Sequence, residues 1–249
     1  MPVAVKRFAL PSLLLCLAGC GGGERIEGME LTLGLTTARA RGVPEAAGAR
    51  TLVTDEGARA TLFGALVTLG SVELIPCETT GWRRLWNELS PVGTAWAHSV
   101  SNALRLGTPH VVALGATDGE VVSLGVMRPP PGRYCRARLT FEPADSDAEG
   151  LSSASQGAVP VDMLGLSLHV RGTLADGERD FEVETRGRSS VDVVLDGLEL
   201  TEDAPKVARV FTLAWDSWLD GVGPGESPRN VDLLGNVARS ASLQSAVVP

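Results

Sequence analysis

Residues Gly132 to Glu142 place Cys135, Ala137, Leu139 and Phe141 on one side of an extended chain, and Tyr134, Arg136, Arg138, Thr140 and Glu142 on the other. Apolar and polar residues alternating with a period of two are the mark of a β-strand buried on one face. Pro129-Pro130-Pro131 leads into the stretch and Pro143 closes it; proline lacks the N–H a sheet ladder needs and so belongs at strand ends. The period recurs along the chain. Met29 to Thr36 sets Leu31, Leu33 and Leu35 on one face, and Leu164 to Arg171 does the same with Leu164, Leu166, Leu168 and Val170. Glu178 to Arg186 aligns Phe181, Val183 and Thr185; Val191 to Leu195 is a shorter example; Val207 to Trp215 aligns Phe211, Leu213 and Trp215. Ala58 to Ile75 is a long β pattern, either two strands or one bent strand, with Gly64 and Gly70 as candidate bulges.

The turns agree with the strands. Asp118-Gly119 between His110–Leu114 and Glu120–Val126 predicts a hairpin; Asp176-Gly177 and Asp196-Gly197 predict two further reversals. Strands at regular spacing with Asp-Gly turns, without βαβ alternation or repeats, predict an all-β antiparallel sandwich. Two helices interrupt it. Trp82, Leu85, Trp86 and Leu89 follow a helical spacing over 81–89 and stop before Pro91, which suits a helix plugging one end of the sandwich. Val231, Leu234, Val237, Ala238 and Ala241 share one face of a helix near 230–243. Between the first helix and Pro109 runs a long loop, so 78–109 reads as a helix and loop insertion, the segment expected to meet a partner.

The chain of 249 residues carries 22 basic and 30 acidic side chains, a formal charge of −8. That balance argues against a nucleic-acid partner, which needs a basic footprint, and offers no attraction to anionic lipid. Attachment to a membrane has to come from elsewhere. Lys6 and Arg7 precede an apolar run from Phe8 to Leu17, too short to cross a bilayer of about 30 Å, and Leu17-Ala18-Gly19-Cys20 follows. This order of charged region, apolar region and box resembles the signal of bacterial lipoproteins. The resemblance implies a signal peptide over 1–19, cleavage before Cys20, a lipid on the Cys20 sulfur and a flexible tether over 20–28. A single domain is expected over 29–249. Gly21 rather than Asp follows the cysteine, which implies an outer-membrane lipoprotein facing the periplasm or cell surface. With Cys16 lost and Cys20 lipidated, Cys77 and Cys135 remain in a compartment that permits disulfides, and a bond between them is expected. The alternative is a copper or zinc site using both thiols.

Leu124-Gly125 followed by Pro131-Gly132-Arg133-Tyr134, and the later Trp218, Asp220, Gly221 and Leu233-Leu234-Gly235-Asn236, resemble envelope lipoproteins of Gram-negative bacteria of the kind abundant in myxobacteria. That likeness implies a prealbumin- or immunoglobulin-like sandwich and no chemistry.

No Gly-x-Ser-x-Gly elbow, His-Glu-x-x-His pair, phosphate loop or dinucleotide fingerprint occurs. His98 and His110 flank one loop and could supply part of a copper or zinc site; their alternative is exposure or capping. Asp145, Asp147 and Glu149, followed by Gly150, match the front of a calcium loop, although Gln156 stands where the bidentate Glu would be; the alternative is a solvated acidic loop. His169 falls on the polar face of its strand and is expected to be exposed. The chain therefore reads as a lipid-anchored envelope protein, a non-enzymatic binding or structural module with an envelope protein partner. The competing readings are a periplasmic copper- or zinc-binding protein and an envelope hydrolase.

Overall fold

The computed structural model describes residues 29–40, 46, 48–77, 102–113, 117–156, 159–174 and 179–244. Two sheets pack together. The smaller contains β1 (Glu30–Ala38), β6 (Val122–Met127), β13 (Lys206–Ala214) and β14 (Ala241–Gln244), in the order β14-β13-β1-β6. The larger is organised around one strand, β3 (Arg59–Pro76), eighteen residues long. On one flank β3 pairs β10 (Leu168–Leu174) and β7 (Gly132–Phe141), which continue into β11 (Arg179–Thr185) and β12 (Ser189–Leu200). On the other flank it pairs β2 (Arg50–Val53), β5 (His110–Ala113) and β4 (Arg105–Leu106). A short ribbon of β8 (Ser155–Gln156) and β9 (Val159–Pro160) stands apart.

One strand serves so many partners because it is bulged twice. Opposite β10 the register skips Phe63, and opposite β7 it skips Gly70. Each extra residue bends and twists the strand, so its first half belongs to β10 and its second half to β7. Gly64 and Gly70 therefore sit at bulges, as the sequence pattern predicts, and the long pattern is one bent strand.

The core lies between the sheets. Leu31, Leu33, Leu35, Phe211 and Leu213 from the smaller sheet meet Leu69, Leu74, Leu139, Phe141 and Leu168 from the larger, all essentially inaccessible to water. Trp215 and Trp218 close one end with Leu233, Leu234 and Val237 of α1 (Leu233–Arg239). Asp232 caps α1 by accepting from the Gly235 N–H at 2.9 Å. Asn236 donates from Nδ2 to the Trp218 and Asp220 carbonyls at 3.0 and 2.8 Å, which welds the helix to the tryptophan turn. A buried ion pair crosses between the layers: Arg50 of β2 reaches Asp118 at 2.7 Å with both side chains 3% exposed or less. Asp118 also accepts from the Trp215 indole N–H and from the Arg39 backbone N–H. Arg39 and Arg50 both lie against the Trp215 ring.

Several sequence expectations change. β1 and β13 run parallel, from Glu30 beside Lys206 to Ala38 beside Ala214. Parallel neighbours need a long crossover, and here nearly the whole domain lies between them. Asp118-Gly119 does not make a hairpin: β5 pairs β3 in one sheet, whereas β6 pairs β1 in the other. Asp196-Gly197 does not reverse the chain either. Both residues have positive φ, 48° and 72°, but Leu198 to Leu200 go on pairing with β7, so the left-handed pair is a bulge within β12. β7 has a bulge of its own: opposite β3 the register skips Cys135, from Ile75 beside Arg136 to Pro76 beside Tyr134, and this shifts the phase of the strand. Tyr134 is buried and Cys135 only half-buried, the reverse of strict alternation. The strand expected to start at Leu164 starts at Leu168, with Leu164 half exposed. The C-terminal helix is shorter than 230–243, because β14 pairs with β13 from Ala241 onward. The 81–89 helix lies outside the described residues.

Candidate functional site

The chemistry-bearing side chains gather on the β10–β11 hairpin. Its register places His169 opposite Glu184, Arg171 opposite Glu182 and Thr173 opposite Asp180. The intervening pairs, Val170 with Val183 and Gly172 with Phe181, face the core. Gly172 is required there: a Cβ would lie 2.3 Å from the Thr61 carbonyl oxygen and 2.8 Å from the Phe181 ring. The bulge residue Phe63 is left 45% exposed beside this hairpin.

A third wall comes from the segment after Val222. Arg229 donates from Nε and Nη2 to the Glu182 carbonyl, both at 3.2 Å. Arg179 donates to the Gly225 and Glu226 carbonyls at 2.8 and 3.2 Å. These bonds pin the outer edge of β11 to the loop. They enclose an open cleft of about 630 Å³ lined chiefly by Phe63, Arg171, Asp180, Phe181, Glu182 and Arg229. The Arg171 Nε is shielded from solvent and has no hydrogen-bond acceptor among the described residues. A buried donor in that state is disfavoured by about 1–3 kcal/mol.

Next to the cleft, and sharing Glu182 with it, stands His169. It is 3% exposed, not solvated as its strand face suggests. The reason lies across the sheet. His169 neighbours Leu66 of β3, and Leu66 belongs to a second apolar cluster with Val111, Ala144, Met163 and Leu166. The excursion between β7 and β10 thus covers a face that alternation alone assigns to water. His169 Nε2 lies 2.8 Å from Glu182 Oε1 and 3.8 Å from Glu184 Oε1. Among the described residues these three are the one group of His, Cys, Asp or Glu whose ligand atoms all lie within 4.8 Å of one another.

The residues singled out from sequence are dispersed. His98 and Cys20 lie outside the described residues. His110 is buried, with Nδ1 2.8 Å from the Thr108 carbonyl oxygen and Nε2 3.2 Å from Glu149 Oε2. Glu149 therefore turns toward His110, while Asp145 and Asp147 are exposed and join no three-ligand group among the described residues. Cys77 and Cys135 are joined in a disulfide. Two carboxylates elsewhere are perturbed. A hydrogen bond from Arg138, reinforced by the charges of Arg138 and Arg136, holds the Asp192 carboxyl below the usual range. Burial, then the neighbouring charges of Asp55 and Asp216, push Asp220 above it.

Compared with known proteins, the chain matches no family model, no curated sequence and no solved structure. Sequence reasoning missed the Glu182–Glu184 pair because both read as ordinary outward residues of a strand.

Proposed function

We propose that the protein is a lipid-anchored, non-enzymatic binding module of the bacterial cell envelope, with the cleft beside β10 and β11 as its recognition face. The observation that carries this reading is the cleft. Its 630 Å³ falls in the range of ligand-binding sites, about 300–1,000 Å³. Its walls offer two guanidinium groups, two carboxylates and two phenyl rings on a strand pair tied down by Arg179 and Arg229. That mixture suits a protein segment carrying both apolar and charged side chains. The expected lipid on Cys20 would hold the module at the membrane. The disulfide is consistent with an oxidising compartment.

The test is site-specific photocrosslinking in intact envelopes, with the photoreactive residue at Phe63 or, as control, at Val126, which is equally exposed on the other sheet. A discrete adduct from position 63 alone, lost in an Arg229→Ala variant of unchanged melting temperature, is expected. Equal labelling from both positions, or an adduct indifferent to Arg229, would sink the cleft as recognition face.

A further inference from the structure

We infer that His169, Glu182 and Glu184 form a binding site for a zinc-class divalent cation. The inference does not depend on what the cleft binds. It begins with hairpin geometry: Glu182 and Glu184 are two residues apart on β11 and project from the same face, and His169 stands directly across from Glu184. Three side chains thus converge without any loop having to fold around an ion.

The distances suit a tetrahedral ion. Zinc bonds to imidazole nitrogen and carboxylate oxygen are about 2.0–2.2 Å, which puts tetrahedral ligand atoms about 3.3 Å apart. The measured separations from Nε2, 2.8 Å to Glu182 and 3.8 Å to Glu184, straddle that value. Rotation of exposed glutamate side chains, 58% and 53% accessible, suffices to equalise them. One imidazole and two carboxylates form a nitrogen–oxygen set that favours zinc and its transition-metal neighbours over calcium or magnesium, which prefer oxygen alone. Three protein ligands leave the fourth position to water or to a group on a bound partner.

The surroundings hold the ligands in place. His169 is locked by burial beside Leu66. The Glu182 backbone is clamped by the forked bond from Arg229, so its carboxylate starts from a fixed point. Arg171, directly opposite Glu182, is the opposing term: its charge disfavours a cation, and the two carboxylates offset it. On binding, the ion takes the position between Nε2 and Glu182 that their direct 2.8 Å contact now spans.

A structural His–Glu ion pair is the competing explanation, and Glu184 separates the two. At 3.8 Å it makes no hydrogen bond to His169, so an ion pair does not need it, whereas a three-ligand site does. The measurement is titration of the full chain with Zn²⁺ by calorimetry and with Co²⁺ by visible absorption. One equivalent is expected. Glu184→Gln should weaken it at least tenfold while leaving the melting temperature of the metal-free protein unchanged. His169→Gln should abolish it, and His98→Ala with His110→Ala should leave it intact. Absence of binding would overturn the inference, as would an equivalent that survives Glu184→Gln or that disappears with His98 or His110.

Discussion

Asp118 shows how much can rest on one side chain. Its carboxylate is 1% exposed and neutralises Arg50, itself 3% exposed. Removing one partner of a buried pair strands the other charge in a poorly polarisable interior, at a cost of about 3–5 kcal/mol. Asp118→Asn is therefore expected to lower the unfolding free energy, read from urea denaturation, by that amount. Arg50→Met with Asp118→Leu, which removes both charges, should recover most of it. A single substitution within about 0.5 kcal/mol of the parent would show that the pair is not desolvated as described. Asp220 and Asp192 carry opposite signs in acid. The Asp220 carboxyl is raised in the fold, so the native state binds its proton more readily than the unfolded chain. Its ionisation costs stability above that folded pKa, and the cost disappears as pH falls through the window toward the ordinary carboxylate value. Asp220→Asn should thus stabilise the protein at neutral pH and flatten its pH profile between the ordinary carboxylate value and the raised folded one. Asp192 is lowered by Arg138; its contribution is present above the ordinary value and fades as pH falls through the lower folded one. Asp192→Asn should remove stability at neutral pH and leave little difference in strong acid, read from unfolding midpoints at a series of pH values.

At the scale of elements, the β10–β11 hairpin was nearly legible. In the sequence Asp176-Gly177 predicts a reversal, and residues at equal distances from its centre should face each other. His169 and Glu184 are such a pair, and so are Arg171 and Glu182; the register obeys this. Only the burial of His169 was hidden, because it depends on a cluster drawn from Leu66, Val111 and Met163, far apart in the chain. The turn at Asp118-Gly119 misled for a related reason. A local signal says that the chain bends, not which sheet each arm joins. At Asp196-Gly197 the same dipeptide supplied two left-handed residues to a bulge, a use that a turn motif does not distinguish. The bulges at Gly64 and Gly70 were readable because glycine inside a strand has few other causes. Glycines also differ in what they tolerate. Gly172→Ala would drive a methyl into a backbone carbonyl and a packed ring, whereas the atoms nearest a methyl at Gly70 belong to the Glu142 side chain, which can swing aside by giving up its ion pair with Arg188. The first should cost about 1–3 kcal/mol or more, the second clearly less, as denaturant midpoints would reveal. The opposite order would mean that the β3–β10 contact is looser than described.

Over the whole molecule, the sandwich class and the Cys77–Cys135 link were within reach of pattern and cysteine arithmetic, but the topology was not. Nothing local in Glu30 to Ala38 says that its partner is Lys206 to Ala214. The disulfide ties the end of β3 to the start of β7 across 58 residues. Replacing both cysteines by serine is expected to cost about 2–4 kcal/mol without changing the far-ultraviolet spectrum; an unchanged unfolding midpoint would show that the crosslink adds nothing to a pairing already secured by the ladder.

The parallel pairing of β1 with β13 also imposes a schedule on synthesis. Leu31, Leu33 and Leu35 emerge among the first residues of the domain, yet Val207 to Leu213, the strand that completes their shelter, emerges about 180 residues later. At roughly 5–20 residues per second, that leaves the apolar ridge of β1 without this neighbour for about 10–35 s. A chain whose first strand cannot be closed until its far end arrives carries an uncovered apolar ridge for that interval, the stage at which it is most open to aggregation.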